Sequence, residues 1–179
     1  MRIIGGKYRG KKLISPNSAA IRPTADKARE AIFNIMRSRL GNDFAKLKLL
    51  DVFTGSGAFG LEAVSQGFAS VTMIDIDLSD ALKNIALLAQ EKNKINLIKG
   101  DACKIINHGE KFEVMFMDAP YNKGLSEKAL ENMVGWLKNG ALCLIEVEKN
   151  EICILPEHYK LLDERRYGLA RVIIAEFLD

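Results

Sequence analysis

Apolar positions change their period partway along the chain, and that change predicts the architecture. Across residues 24–40, Ala28, Ile32, Ile35, Met36 and Leu40 recur at helical spacing, giving one apolar stripe on an α-helix. Thr24 is placed to cap its start and Gly41-Asn42 to end it. From Leu47 onward the pattern becomes short apolar runs: Leu47–Phe53, Ser70–Asp75, Ile95–Lys99, Glu113–Asp118 and Ala141–Glu146. These read as strands, and the helical periodicity near 58–66, 79–92 and 125–138 reads as the connections between them. Such alternation specifies βαβ units, hence an α/β fold with a mainly parallel sheet covered on both faces. Tyr159–Arg166, the turn Tyr167-Gly168 and Ala170–Phe177 add an antiparallel hairpin at the edge, for seven strands in all. Ahead of the first helix, Arg2–Ile14 holds two short runs about Gly5-Gly6, which predicts a small hairpin.

Composition narrows the class without naming a function. Of 179 residues, 48% are apolar and 27% charged, an ordinary globular balance that excludes disorder and collagen-like repeats. No run approaches the roughly 20 apolar residues needed to cross a bilayer. The N-terminus lacks the apolar core of a signal peptide, so a cytoplasmic protein is expected. Cys103, Cys143 and Cys153 are odd in number and match no metal-ligand spacing, so free thiols and no metal are expected. His108 suits a turn and His158 precedes the final hairpin; neither has a partner at triad spacing. Glu146 and Glu148 alternate with Val147 and read as exposed positions at a strand end. Charge alters the picture more. Residues 1–48 carry twelve Lys/Arg against three Asp/Glu, net +9, whereas residues 49–179 carry fourteen against twenty, net −6. This points to a polyanion-contacting segment, residues 1–45, joined to a catalytic body, residues 46–179, and separable from it.

The first strand of the body runs into Gly55-Ser56-Gly57-Ala58-Phe59-Gly60, a Gly-x-Gly-x-x-Gly loop suited to close backbone approach to a nucleotide-like ligand. Asp51 precedes it at the strand end. A carboxylate there repels a pyrophosphate and attracts a cation, which favours S-adenosylmethionine, with its ammonium and sulfonium, over a dinucleotide. Asp75 ends the second strand twenty residues past Gly55, placed for ribose hydroxyls with either ligand. Asp77, two residues on, suits a helix cap. Asp101 ends the third strand, where its carboxylate and the Ala102 N–H can meet an adenine edge. Phe53 and Ile76, beside these acids, complete the cofactor set.

The fourth strand ends in Asp118-Ala119-Pro120-Tyr121. An exocyclic base amine is a poor nucleophile because its lone pair is delocalised into the ring. Two acceptors aimed at its hydrogens, the Asp118 carboxylate and the Ala119 carbonyl, favour a tetrahedral nitrogen whose lone pair faces a methyl donor. Pro120 fixes the turn, and Tyr121 can stack on an extruded base.

Arg2–Leu13, Arg22–Phe33, Asp51–Glu62 and Asp118–Tyr121 together resemble the bacterial 16S rRNA guanine-N2 methyltransferase family known as RsmD. The resemblance implies a Rossmann-like class I methyltransferase that uses S-adenosylmethionine. Its substrate would be guanine(966) of 16S rRNA, in the small ribosomal subunit or its assembly intermediate, and the protein is expected to be a monomer. Lys7, Arg9, Lys11, Lys12, Arg22 and Arg29 become candidate phosphate contacts, with Gly5, Gly6 and Gly10 allowing close approach. Two positions depart from the family: Ala119, where Pro is usual, and Asp75, where Glu is more frequent. Three rivals stand beside this reading. They are an adenine-N6 or cytosine-N4 amino-methyltransferase, an NAD-dependent oxidoreductase, and an RNA-binding assembly factor without turnover.

Overall fold

Strands β1 (Lys48–Val52) and β2 (Ser70–Asp75) are buried along almost their whole length, as the inner strands of a parallel sheet must be. The computed structural model describes residues 1–15, 23–107 and 109–179, with 23–25 described by backbone course alone. The other strands are β3 (Ile95–Lys99), β4 (Phe112–Asp118), β5 (Leu137–Glu148), β6 (Tyr159–Tyr167) and β7 (Ala170–Phe177). Their order is β3-β2-β1-β4-β5-β7-β6. The first five are parallel, while β7 runs antiparallel to β5 and β6 to β7.

Alternation along the strands divides the core. Val114 and Phe116 face a cluster shared with Ile32, Phe33 and Met36 of α1 (Pro23–Leu40), Phe59 of α2 (Ala58–Ser65) and Ile85 of α3 (Ser79–Ala86). Met115 and Met117 face the opposite cluster, with Ala129, Leu130 and Met133 of α4 (Leu125–Met133). The result is helix, sheet, helix in three layers. Among the described residues no helix is long and apolar enough to cross a membrane.

The N-terminal segment departs most from expectation. Its two arms meet in an antiparallel bridge at Arg2 and Lys12, with Ile3 donating to the Lys11 carbonyl, Gly10 to Ile3 and Leu13 to Met1, but no regular strand forms and Gly6–Tyr8 make a 3-10 turn. The backbone N–H groups of Ile4 and Gly5 donate to Glu62 of α2, each at 2.7 Å, and not to a facing strand. A Cβ on Gly6 would stand 1.9 Å from the Ser65 carbonyl oxygen, so this glycine serves packing against α2 and not approach to RNA. Ile3 and Leu13 lie in the same core cluster as Leu49 and Phe59. The segment therefore does not carry a core of its own. Removing residues 1–20 would strip two side chains worth about 1.5–3 kcal/mol each from the core of the body.

Smaller differences are local. Helix α1 begins at Pro23, which puts Thr24 inside its first turn. The helix expected over 79–92 ends at Ala86 and tightens into a 3-10 run, Ala89–Lys94. The helix expected over 125–138 ends at Met133, and Trp136 packs from a 3-10 turn directly before β5. After β3, Asp101 opens a single turn, its carbonyl accepting from Lys104 and Ile105. His108 lies outside the described residues.

Candidate active site

The strand order reverses between β1 and β4, and open α/β sheets take ligands outside the carboxyl ends of strands at such a point. The loops leaving β1 to β4 converge there on a cavity of about 670 Å³. Its walls are Phe53, Gly55, Asp75, Ile76, Asp101, Ala102 and Asp118–Tyr121, all nominated from the sequence, together with Gly100 and Leu125. Every charged side chain on that lining is an acid.

At the end of β1 the chain makes a strained turn. Phe53 has φ 62°, a left-handed conformation that is an outlier for a bulky residue and recurs at ligand sites. Gly57, at φ 75°, occupies the cap position of α2. A Cβ on Gly60 would stand 2.4 Å from Met73 Cε and 3.0 Å from Asp51 Oδ2. Gly57 and Gly60 are absent from the lining of the 670 Å³ cavity. They shape the loop and let α2 pack on the strands.

Asp51 sits behind this loop. Its Oδ2 accepts from Thr54 Oγ1 at 2.5 Å and from the Gly60 N–H at 3.0 Å. Burial outweighs these bonds and, with the charge of Asp75, pushes its pKa up to about 7. The carboxylate faces an adjoining cavity of about 250 Å³, shared with Met1, Arg29, Phe53, Gly55, Asp118 and Glu146. Sequence reasoning nominated Asp51 for the cleft itself; it lines this side chamber, with Phe53, Gly55 and Asp118 on both.

Asp75 ties β2 to the glycine loop, since its Oδ2 accepts from the Gly55 N–H at 2.8 Å and its Oδ1 from the Asp77 N–H at 3.1 Å. Asp77 accepts from the Ser79 N–H at 2.9 Å, but it stands one residue before the N-cap of α3, which is Leu78. Asp101 accepts from the Cys103 N–H at 2.9 Å and pairs with Lys104 at 3.3 Å. These contacts hold its pKa below the usual range.

Asp118 is open to the cleft but enclosed by protein on its other sides. That desolvation, then the charges of Glu146 and Asp51, hold its pKa well above the usual carboxylate range. Alternation marks Glu146 as an exposed strand end, and the structure corrects this. It stands opposite Asp118 in the β4–β5 register, and its Oε1 accepts from the Tyr121 hydroxyl at 2.9 Å. Burial raises its pKa while the Tyr121 bond opposes the rise. Glu146 thus orients the Tyr121 side chain at the cleft wall.

The nominated basic residues fare unequally. Arg9, Lys11 and Lys12 are exposed. Lys7 is exposed but its Nζ meets Glu91 Oε1 at 2.6 Å. Arg29 is corrected from a surface contact to a buried one. It is 7% exposed and donates to Asp26 at 2.9 Å and to the Arg2 carbonyl at 2.7 Å, with Glu62 at 3.6 Å. Arg22 lies outside the described residues.

Two buried polar residues fasten the N-terminal segment to the body, Asn84 at the glycine loop and Ser65 at the far end of α2. Asn84 Oδ1 accepts from the Ile14 N–H at 2.7 Å, while its Nδ2 donates to the carbonyls of Ile14 at 3.0 Å and Ser56 at 2.9 Å. Ser65 accepts from the Tyr8 N–H at 2.9 Å and donates to the Gly5 carbonyl at 2.7 Å. Neither residue stands out in the sequence, because their partners in the N-terminal segment lie more than fifty positions away.

This cleft suits a cationic ligand. The sulfonium and ammonium of S-adenosylmethionine would meet carboxylates there. A pyrophosphate would find no cation on the main cavity lining among the described residues.

Known proteins share this architecture and sequence. A family model described as Conserved hypothetical protein 95 matches residues 1–176. The chain is 33% identical to the ribosomal RNA small subunit methyltransferase D of Haemophilus influenzae, over 94% of this chain and 90% of that protein. It is 34% identical to the protein of the same name from Escherichia coli, over 94% and 85%. The solved structure of yhhF from Escherichia coli superposes with a TM-score of 0.83 at 31% identity, covering 99% of this chain and 98% of that one. Sequence motifs, topology and length thus agree: the chain belongs to the Conserved hypothetical protein 95 family, alongside the ribosomal RNA small subunit methyltransferase D proteins.

Proposed function

We propose that this chain transfers a methyl group from S-adenosylmethionine to the exocyclic N2 amine of a guanine in 16S rRNA, and that it acts in the cytoplasm as a monomer. Its substrate is the small ribosomal subunit or an assembly intermediate of it. The observation that carries this reading is the meeting of Asp118-Ala119-Pro120-Tyr121 with an acid-lined cleft at the switch point of the sheet. The names of the relatives, which are rRNA methyltransferases, supply the substrate class.

When bound, S-adenosylmethionine supplies an electrophilic methyl group on a sulfonium. The chain's own residues arrange the acceptor. Tyr121, held by Glu146, offers an aromatic wall for an extruded base. Asp118 and the Ala119 carbonyl accept hydrogen bonds from the amine and turn its lone pair towards the methyl. With the donor bound, its methyl would face that nitrogen, and Asp118 would pass the surplus proton of the amine to water. A cation bound beside Asp118 draws that carboxyl back to its ionised, accepting form. Much of the acceleration then comes from alignment of amine and methyl. The replacement of the usual Pro by Ala119 leaves this intact, because only the carbonyl of that residue takes part.

The test is transfer of labelled methyl to small subunits from a strain lacking the modification, followed by nucleoside mass spectrometry. N2-methylguanosine is the expected product. Methyladenosine or methylcytidine would overturn the choice of base, and particle binding without transfer would leave an assembly factor.

A further inference from the structure

The cations of the N-terminal segment fall into two groups. Lys7 and Arg29 are neutralised, by Glu91 and by Asp26 with Glu62. Arg9 and Arg37 have no carboxylate at ion-pair distance among the described residues, and Arg2 reaches Asp26 only at 3.9 Å. These three arginines, two from the N-terminal loop and one from α1, line one groove of about 410 Å³ between those elements.

Arg37 is half-buried, and its guanidinium donates to Asn34 Oδ1 at 2.9 Å and to Gln66. Both partners are neutral amides. They fix the direction of the guanidinium without compensating its charge. Glu30 is the one carboxylate on the groove lining among the described residues, so three positive charges face one negative. A partly desolvated guanidinium without a counter-ion is a costly arrangement that an entering anion relieves. Its planar fork of donors matches a phosphate better than a point charge would.

We infer that this groove binds a backbone phosphodiester of the substrate RNA strand, with Arg9 and Arg37 as its principal contacts. This rests on the rRNA methyltransferase reading and adds to it where the strand lies. The groove is at the far end of α2 from the glycine loop: Gly57 caps one end, and Gln66 at the other end lines the groove. Eight residues of helix span about 12 Å. The phosphate site therefore lies about 12 Å along α2 from the glycine loop. Such a contact fixes the strand's path without reading its sequence.

The full-length protein, with Arg9→Gln, Arg37→Gln and the double variant, would be titrated with small subunits or an rRNA fragment across a salt series. Cofactor affinity and thermal midpoint would be read in parallel. The double variant should flatten the log–log salt slope by about 0.7, the value of one lost phosphate contact, with cofactor affinity unchanged. Arg37→Lys should restore most of the slope. Arg9 sits on an exposed loop, so Arg9→Gln alone keeps the test valid should Arg37→Gln unfold. An unaltered slope in folded variants would overturn the groove assignment while leaving the methyltransferase reading in place. A wild type that binds cofactor but no RNA would instead overturn that reading. Calorimetric titration with inorganic phosphate at fixed ionic strength separates the two anion sources. Tight phosphate binding lost in the double variant would mark a free-anion site and contradict the strand assignment.

Discussion

The strand-end cleft and the N-terminal segment handle charge in opposite ways. In the cleft, Asp118 and Glu146 face each other across neighbouring strands, with Asp51 behind the glycine loop, and no basic side chain among the described residues lines the main cavity. Burial raises the pKa of each acid, and neighbouring negative charge adds to the rise at Asp51 and Asp118, a state kept ready for a positive ligand. In the N-terminal segment several cations are already committed. Arg29 and Lys7 hold the segment to the body through Asp26, Glu62 and Glu91. The lesson is that formal charge locates a module, whereas pairing decides which of its charges remain for a ligand.

Substitutions can break that comparison, and the largest effect belongs to Asp118. Asp118→Ala should lower the rate of methyl transfer by roughly 10²–10⁴-fold, with cofactor affinity measured by calorimetry changing far less. Full activity in that variant would remove Asp118 from the chemistry. Next comes the anchor of the basic segment. Glu62→Ala removes one of the two carboxylates beside buried Arg29, leaving only Asp26, and frees two backbone donors. A loss of about 3–5 kcal/mol in urea unfolding is expected; a loss below about 1 kcal/mol would show that the segment is only loosely attached.

Asp51→Asn should weaken S-adenosylmethionine binding by roughly 10–100-fold, the value of a hydrogen bond to a charged group. Because the folded pKa of Asp51 is near 7, wild-type affinity should rise as pH increases through 7, and the variant should lose that dependence. Stability has the opposite sign. A folded pKa raised above the unfolded value means the group's contribution is fully present below about 4 and is lost as pH climbs towards 7. Urea titrations at several pH values should therefore show Asp51→Asn flattening the wild-type decline. The smallest effect is expected for Ala119→Pro, which should add about 0.4–1 kcal/mol of stability with activity retained. A large loss of activity would mean that the Ala119 N–H, and not only its carbonyl, is used.

How much is legible in the sequence follows from the range of the interactions. Strand ends are set by local periodicity, so the pattern of the chain alone places Phe53, Asp75, Asp101 and Asp118 along one edge. The seven strands and their terminal hairpin follow from the same local signal. Glu146 escapes it, because its role depends on the β4–β5 register that sets it opposite Asp118. The hairpin expected at Arg2–Ile14 forms only in part, for a related reason. Its arms bond across at Ile3–Lys11 and Met1–Leu13, but the N–H groups of Ile4, Gly5 and Tyr8 find Glu62 and Ser65 on α2, partners that no short-range pattern reveals. Arg29 has the pattern of a surface cation because it lies off the apolar stripe of α1, yet the N-terminal loop folds over it.

The central claim is that uncompensated acids at the sheet's switch point select a cationic methyl donor. Calorimetric titration of the full-length protein with S-adenosylmethionine and, separately, NAD tests it most directly. The account predicts saturable binding of S-adenosylmethionine and none measurable for NAD at the same concentrations. NAD binding as tight as, or tighter than, S-adenosylmethionine would contradict it.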